Sequence, residues 1–207
     1  MISDLGLYLK PDGCRRILNL RSDVWSIISR HDPARWRRTL SHRSKDSLPF
    51  DPLRIPTDAS LLFDATVYID QLKGQLPLAI VNLIASRIIF HAAPALAELA
   101  VTIGALDPAD RRTRSAVGPI VDTLTRISTS RVIAPSYEVW LEASMIAGIL
   151  SHTQGVSKQD RRRFLNDCLL FLLASASGCV LITRNSRDVD LLLQLKPHTA
   201  VLLYDQI

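Results

Sequence analysis

From residue 58 onward the chain alternates short, almost wholly apolar runs with longer segments whose apolar residues recur at helical spacing. The short runs predict strands at 60–66, 87–92, 131–136, 178–184 and 199–204. The longer segments predict helices at 76–86, 94–105, 107–129, 137–150, 157–176 and 187–195. Strands that alternate with helices predict a three-layer α/β/α domain, whose central, mostly parallel sheet has about five strands.

The pattern before residue 58 is different. Prolines 49, 52 and 56 disfavour helix in the residues that precede them, and they predict an extended connector over 47–58. Ahead of this connector, apolar residues at helical spacing predict one helix from Cys14 to Ser29. We therefore predict an N-terminal helical and extended appendage over residues 1–57 and one α/β domain over residues 58–207.

Positive charge is concentrated in the appendage. Residues 1–60 contain 11 Lys/Arg and 7 Asp/Glu, a net of +4, whereas residues 61–207 contain 14 and 13, a net of +1, which gives +5 in total. The segment RHDPARWRRTLSHRSK, residues 30–45, places Trp36 among arginines. Because cationic clusters bind phosphates and an aromatic ring can stack on a base, Arg35, Arg37 and Arg38 are candidate RNA contacts. A solvated or partner-docking surface is the alternative interpretation.

Several classes of protein are excluded. The three cysteines have no paired spacing and no neighbouring histidine cluster, so they predict neither a disulfide framework nor a zinc site and indicate a reduced, cytoplasmic protein. We expect neither a secretion signal nor a membrane span, because MISDLGLYLKP lacks a basic start and a sustained apolar stretch, and the longest apolar run is too short to cross a bilayer. The first predicted strand is not followed by a glycine-rich dinucleotide motif, and the chain contains no P-loop and no nucleophile-elbow motif.

Asp167 is the most informative residue, because it lies inside the apolar run of RRRFLNDCLLFLL. On a helix its turn-neighbours are Phe164, Leu170 and Phe171, so its carboxylate faces protein. A buried charge is costly unless it is paired, hydrogen-bonded, neutralised or bound to a metal. An ion pair with Arg163, one turn earlier, is the structural alternative to a functional site.

Three further carboxylates are expected at the same end of the sheet. Asp64 follows the first predicted strand, Asp188 follows the fourth, and Glu98 lies on the helix that begins near Pro94. Each has an ordinary alternative explanation as a cap, a turn residue or an exposed side chain, and Asp190 competes with Asp188. Together they favour a cation site, because clustered carboxylates repel one another, and hard Mg²⁺ or Mn²⁺ ions prefer oxygen ligands.

These residues resemble the PIN-domain nucleases, and most closely the VapC-like toxins of bacterial toxin–antitoxin pairs. The resemblance covers roughly residues 60–205 and rests on FDATVYID, PALAELA, FLNDCLLFLLASASGCVLITRN and TRNSRD. It implies a PIN-like fold that binds one or two Mg²⁺ or Mn²⁺ ions. The metal-binding and catalytic residues it implies are Asp64, Glu98, Asp167 and Asp188, with Asn185 and Thr183 in support.

The chain departs from the family pattern at two positions. Ala65 stands where Thr or Ser usually follows the first Asp, with Thr66 one place later, and Val189 replaces the aromatic residue that usually follows the last Asp. The basic residues 1–57 have no counterpart in the short toxins. The first departure puts in question the hydroxyl contact that the residue after the first Asp would make.

The resemblance implies a metal-dependent endoribonuclease that hydrolyses RNA, acting as the toxin of a type II pair, with an antitoxin protein as partner and a homodimer as its assembly. Arg184 and Arg187 flank the last motif and are candidate contacts to the RNA backbone. His91, at the end of the second predicted strand, is a minor candidate for catalysis. A housekeeping RNA-processing PIN nuclease and a catalytically inactive PIN-like RNA- or protein-binding module are the alternatives.

Overall fold

A computed structural model describes most of the chain. It describes residues 7–9, 15–17, 20–107, 109, 111–157, 161–197 and 200–206, with the side chains of 24–107, 109, 117–157, 161, 164–197 and 200–206. Within these residues, a two-stranded hairpin and a helix precede a five-stranded sheet flanked by helices. No helix in the described ranges is both long and apolar enough to cross a membrane.

The N-terminal segment begins with two short antiparallel strands, β1 (Leu7–Leu9) and β2 (Arg15–Ile17). Helix α1 follows at Leu20–Arg30. The predicted helix from Cys14 is therefore wrong in its first part, because residues 15–17 pair with β1. Strand pairing satisfies the backbone hydrogen-bonding groups that a helical turn would otherwise have satisfied there.

The central sheet has five parallel strands in the order β5-β4-β3-β6-β7. Its strands are β3 (Leu61–Phe63), β4 (Ile89–Ala92), β5 (Val132–Ile133), β6 (Val180–Thr183) and β7 (Val201–Leu203). Every residue of β3, β6 and β7 is buried, so both faces of this part of the sheet are covered. The predicted α/β/α architecture with a parallel sheet of about five strands is confirmed.

In the part of the chain that the structure describes, seven α-helices accompany the sheet. They are α2 (Ala65–Leu72), α3 (Leu78–Ala85), α4 (Ala93–Ala105), α5 (Arg111–Arg126), α6 (Tyr137–Thr153), α7 (Arg161–Ser177) and α8 (Ser186–Leu195). Helix α7 packs against α6, α4, α8 and β6, and residues 168–174 of α7 are all buried. Asp167 immediately precedes that run, which puts its carboxylate at the boundary of the core.

The order of the strands brings two strand ends together at the centre of the sheet. From β3 the chain continues to β4 and β5 on one side, and it later returns to β6 and β7 on the other side. Phe63 pairs with Ile182, and the Asp64 backbone N–H donates to the Ile182 carbonyl at 3.1 Å. Ligands of open parallel sheets bind at such a switch in strand order, beyond the carboxyl ends of the strands.

A segment of the appendage, which we call the strap (residues 31–50), lies along the domain. Leu40, Leu48 and Phe50 pack against the hydrophobic core. The Leu203 backbone N–H of the outer strand β7 donates to the Pro49 carbonyl at 2.8 Å. The strap therefore covers part of one edge of the sheet.

Buried or half-buried ionic contacts also hold the strap. His31 Nε2 lies 2.7 Å from Glu142 Oε1 on α6, and Lys196 contacts the same oxygen at 3.2 Å. At the other end of the strap, Arg43 binds Asp190 on α8. Acidic residues of the domain thus bind basic residues at both ends of the strap.

Candidate active site

A pocket of about 520 Å³ lies at the carboxyl end of the central strands. It is lined by Asp64, Ala65, Thr66, Ile69, Glu98, Val101, Thr102, Asn166, Asp167, Arg184 and Asn185. Three of the four predicted carboxylates are therefore on one pocket wall, and the fourth, Asp188, is hydrogen-bonded to Asn185. The lining residues come from the end of β3, from helices α2, α4 and α7 and from the loop after β6, and Asp188 lies in the first turn of α8.

Asp64 is the residue from which helix α2 departs, but its side chain does not cap that helix. Instead its Oδ2 accepts hydrogen bonds from Thr66 Oγ1 at 2.8 Å and from Thr183 Oγ1 at 2.6 Å. Burial raises the pKa of Asp64, and the two hydroxyl donors partly offset this effect. The two threonines fix the orientation of a buried carboxylate.

Thr66 supplies the hydroxyl contact that the departure at Ala65 had placed in question. Besides donating to Asp64, Thr66 Oγ1 accepts a hydrogen bond from the Arg184 backbone N–H at 3.3 Å. It therefore links the start of α2 to the loop between β6 and α8. The shift of the hydroxyl by one position along the chain keeps the contact.

Asp167 has one oxygen with a partner and one without. Its Oδ1 accepts from Asn185 Nδ2 at 3.2 Å, whereas its buried Oδ2 has no hydrogen-bond partner among the described residues. Burial raises the pKa of Asp167 well above its ordinary value, and the negative charges of Asp188, Asp64 and Glu98 raise it further. The alternative partner, the side chain of Arg163, lies outside the described residues.

Asn185 connects the last motif to the other carboxylates. It caps helix α8, because its Oδ1 accepts from the Asp188 backbone N–H at 3.3 Å. Its Nδ2 donates both to Asp188 Oδ2 at 2.8 Å and to Asp167 Oδ1. Its backbone N–H donates to Thr183 Oγ1 at 3.0 Å. The two predicted supporting residues, Asn185 and Thr183, are thus each bonded to predicted acidic residues.

Asp190 and Val189, next to the last motif, take no part in the pocket. Asp190 binds Arg43 of the strap. Burial raises the pKa of Asp190, but the hydrogen bonds from Arg43 and Gln194 outweigh this effect, so the pKa lies below its ordinary value. Val189 is buried in the core. The geometry therefore places Asp188, and not its rival Asp190, with the other carboxylates.

Glu98 is held from helix α7 by a residue that the sequence did not single out. Asn166 Nδ2 donates to Glu98 Oε1 at 2.9 Å. The sequence could have indicated Asn166, because this polar residue immediately precedes Asp167 on the same helix. Asn166 orients Glu98 toward the pocket that both residues line.

Of the five arginines predicted to contact RNA, Arg184 is the one that lines this pocket. Arg187 is exposed and lines a separate pocket beside the strap. Arg35 pairs with Asp32 at 3.6 Å, Arg37 Nε donates to the Ala34 carbonyl at 2.9 Å, and Arg38 is exposed. The neighbouring Trp36 lines a pocket on α6 with Met145, Gly148 and Ile149, so part of its ring packs on the domain.

His91 lies behind the pocket and not in its wall. The hydroxyl group of Tyr68 and His91 Nδ1 are 2.6 Å apart. Burial lowers the pKa of His91, with a smaller contribution from Arg131, and burial together with the charge of Asp64 raises the pKa of Tyr68. This pair packs against Phe63 and supports the strand that leads to Asp64.

The donor chemistry of the pocket fits a hard divalent cation. It consists of carboxylate oxygens, and one of them, the buried Asp167 Oδ2, has no hydrogen-bond donor among the described residues. Across the described residues no three His, Cys, Asp or Glu side chains stand ready as a complete ligand set. Asn185 lies between Asp167 and Asp188, and threonine hydroxyls contact Asp64.

Comparison with known proteins gives similarities of fold. No family model and no curated protein matches the chain. VapBC2 from Rickettsia felis bound to a DNA fragment from their promoter is 15% identical over 70% of this chain and 99% of that chain, with a TM-score of 0.48. FitAB bound to an IR36 DNA fragment is 14% identical over 69% and 94%, with a TM-score of 0.46.

A third structure is VapBC-5 from Mycobacterium tuberculosis, a member of the VapBC family of toxin–antitoxin systems. It is 17% identical over 70% of this chain and 99% of that chain, with a TM-score of 0.44.

Proposed function

We propose that the chain is a divalent-metal-dependent endoribonuclease that hydrolyses RNA phosphodiester bonds, and that it is the toxin of a type II toxin–antitoxin pair. The observation that carries this proposal is the buried Asp167 oxygen, which has no donor among the described residues and lies at the end of a parallel sheet among three other carboxylates. Such an arrangement is electrostatically unfavourable without a cation, and groups of this kind cluster at functional sites.

In this proposal Mg²⁺ or Mn²⁺ would be held by Asp64 and Asp167, with Glu98 as a further ligand or as the group that orients the attacking water. Asp188 would bind a second, weaker ion. When bound, the cation would supply Lewis acidity and offset the negative charge that develops on the phosphate. The chain itself contributes a rigid set of oxygen ligands at the strand ends.

The remaining residues position these ligands and the substrate. Thr66 and Thr183 hold Asp64, and Asn185 holds Asp167 and Asp188. Prior orientation of the reacting groups lowers the entropic cost of the reaction. Arg184 supplies the positive charge in the pocket wall and would bind the RNA backbone.

The partners belong to the proposal as well. An antitoxin protein and a second copy of the chain are partners that the motif resemblance implies. We also infer that the protein acts in the cytoplasm, because its described cysteines, Cys168 and Cys179, are buried thiols with no disulfide bond.

The test is RNA cleavage by the purified protein. A structured RNA is incubated with EDTA, Mg²⁺ or Mn²⁺, in parallel with Asp64→Asn and Asp167→Asn. The matched control is Asp122→Asn, the same substitution at an exposed carboxylate of α5. We expect cleavage only with metal, its loss in both site variants and its retention in the control.

Two outcomes would select the alternatives. Absence of cleavage, or cleavage that survives both site substitutions, would contradict the proposal and favour the inactive RNA- or protein-binding module. Cleavage without growth arrest on expression, and without a small protein encoded upstream that suppresses it, would favour the housekeeping nuclease.

A further inference from the structure

Asp70 is a fully buried carboxylate that the proposed reaction does not use. It lies six residues after Asp64, near the end of α2, with 0% of its surface exposed. Its Oδ2 accepts from the hydroxyl of Tyr204 at 2.8 Å, and its Oδ1 accepts from Gln206 Nε2 at 2.6 Å. Both donors come from the residues that follow β7.

The third partner of Asp70 belongs to the pocket. Arg184 Nε lies 3.5 Å from Asp70 Oδ2, and the Arg184 side chain is 36% exposed. The backbone N–H of Arg184 donates to Thr66, which also donates to Asp64. Arg184 is therefore held at two points, by a buried charge at its side chain and by a hydroxyl at its backbone.

We propose that Asp70 is a positioning residue that holds the Arg184 guanidinium in the pocket wall, where it binds a backbone phosphate of the nucleic-acid strand beside the one that is cleaved. This inference rests on the proposed function, because it assigns Arg184 to that substrate. A guanidinium has five N–H donors, so an ion pair through Nε leaves donors for a phosphate.

Pairing with a buried carboxylate improves phosphate binding by lowering its entropic cost. A free arginine side chain loses rotamer freedom when it binds a ligand, and a side chain already held in place has lost that freedom during folding. Asp70 suits this role because its own position is fixed by Tyr204 and Gln206. The carboxylate therefore does not have to move when the strand binds.

The sign of one substitution separates this role from simple electrostatics. Asp70→Asn removes a negative charge from the neighbourhood of the pocket, so long-range electrostatics alone predicts tighter binding of RNA. Positioning predicts the opposite, because Arg184 would lose the charge that holds it.

The experiment measures the affinity of a short, fluorescein-labelled single-stranded RNA of mixed sequence by fluorescence anisotropy, in EDTA and at several salt concentrations. All proteins carry Asp64→Asn, so that cleavage does not interfere. We expect Arg184→Ala to raise Kd about tenfold and to lower the slope of log Kd against log salt by about 0.7. Asp70→Asn should raise Kd about fivefold and lower the same slope.

Two controls isolate the pair. Asp70→Asn added to Arg184→Ala should change Kd no further, because the residue that Asp70 acts through is gone. Tyr204→Phe removes one of the two side-chain hydrogen bonds that fix Asp70 but keeps the carboxylate and Arg184, so it should raise Kd by less than Asp70→Asn does. If Asp70→Asn does not fold, Arg184→Lys, which keeps the charge without the planar fork, should still raise Kd several-fold.

The outcomes separate this inference from the nuclease proposal. Unchanged or tighter binding by Asp70→Asn, or by Arg184→Lys where that variant carries the test, would overturn the role of Asp70 while leaving cleavage untouched. Weaker binding in a protein whose wild type binds RNA without cutting it would support Asp70 and overturn the nuclease. A wild type that neither binds nor cuts RNA would overturn both.

Discussion

Asp190 and Arg43 bind each other although 147 positions separate them in the chain. Arg43 Nε donates to Asp190 Oδ1 at 2.6 Å, and the Arg43 backbone N–H donates to Oδ2 at 2.9 Å. Asp188, two positions earlier on the same helix, instead bonds to Asn185. Residues two apart on a helix point about 200° apart, so α8 presents one carboxylate to Asn185, which lines the pocket, and the other to the strap.

Arg43→Ala should destabilise the protein by about 2 kcal/mol, because it removes the guanidinium that pairs with the buried Asp190 carboxylate. The backbone N–H of residue 43, at 2.9 Å, and His42 and Gln194, both at 3.3 Å, remain beside Asp190 and limit the loss. Urea unfolding measures the change. Arg37→Ala, in the same strap but exposed, is the control and should stay within about 0.5 kcal/mol. Equal effects of the two substitutions would mean that the Asp190 contact does not stabilise the fold.

The contact between Glu142 and the strap predicts a pH-dependent stability. The hydrogen bond to His31, followed by the charges of Lys196 and Arg30, lowers the pKa of Glu142 from 4.5 to about 2 despite its burial. A carboxylate with a lowered pKa stabilises the folded state above its unfolded pKa and loses this effect as the pH falls through its folded pKa.

Wild type should therefore be more stable than Glu142→Gln by about 3 kcal/mol near pH 7, and the difference should close between about pH 5 and pH 2. Urea unfolding at a series of pH values checks this. A difference that stays constant over the whole range would contradict the ionic origin of the contact.

Asp167→Asn should stabilise the protein by about 1 kcal/mol near pH 7 in EDTA, because it removes a charge that burial and three neighbouring carboxylates disfavour. The pKa of Asp167 is raised, so the wild type is destabilised as the pH rises through that pKa, and the gain of the variant should vanish below about pH 4. Thermal unfolding with Asp122→Asn as control measures this. A large loss of stability would instead indicate an ion pair at Asp167.

Thr66→Val should reduce RNA cleavage at least tenfold while changing stability by about 1 kcal/mol, because it keeps the shape of the side chain but removes a donor to Asp64. Loss of this donor also raises the pKa of Asp64 further, so the remaining activity should rise at higher pH. Metal-dependent cleavage rates across pH check both points. Ala65→Thr is the comparison, and rescue of Thr66→Val by it would show that the two positions are interchangeable.

The sheet and its surrounding helices could be predicted because the spacing of apolar residues reflects which side chains are buried, and this spacing differs between strands and helices. Helix α2 was the exception, since Thr66, Val67 and Ile69 favour strand and the segment continues a strand. Packing of Val67 and Tyr68 in the core outweighs that local preference. The antiparallel pairing of β1 with β2 was missed, because each of these strands has only three residues.

The four carboxylates could be located because each follows a strand or interrupts an apolar helix. Two of their hydrogen-bond partners, Asn166 and Thr66, could not, since their positions depend on the relative rotation of helices. The two acidic residues of the last motif illustrate the limit. Spacing left Asp188 and Asp190 as rivals, and only the docked strap shows that Asp190 has another partner.

The hydrogen bond between Leu203 and Pro49 has a consequence for any shorter version of this protein. A chain that started at residue 58 would expose the outer edge of β7, whose unpaired amides can recruit a strand from another molecule. It would also open Asp190 to water without Arg43. The appendage therefore protects the edge of the sheet. Removal of the first 57 residues should favour self-association of the protein through the exposed edge of β7.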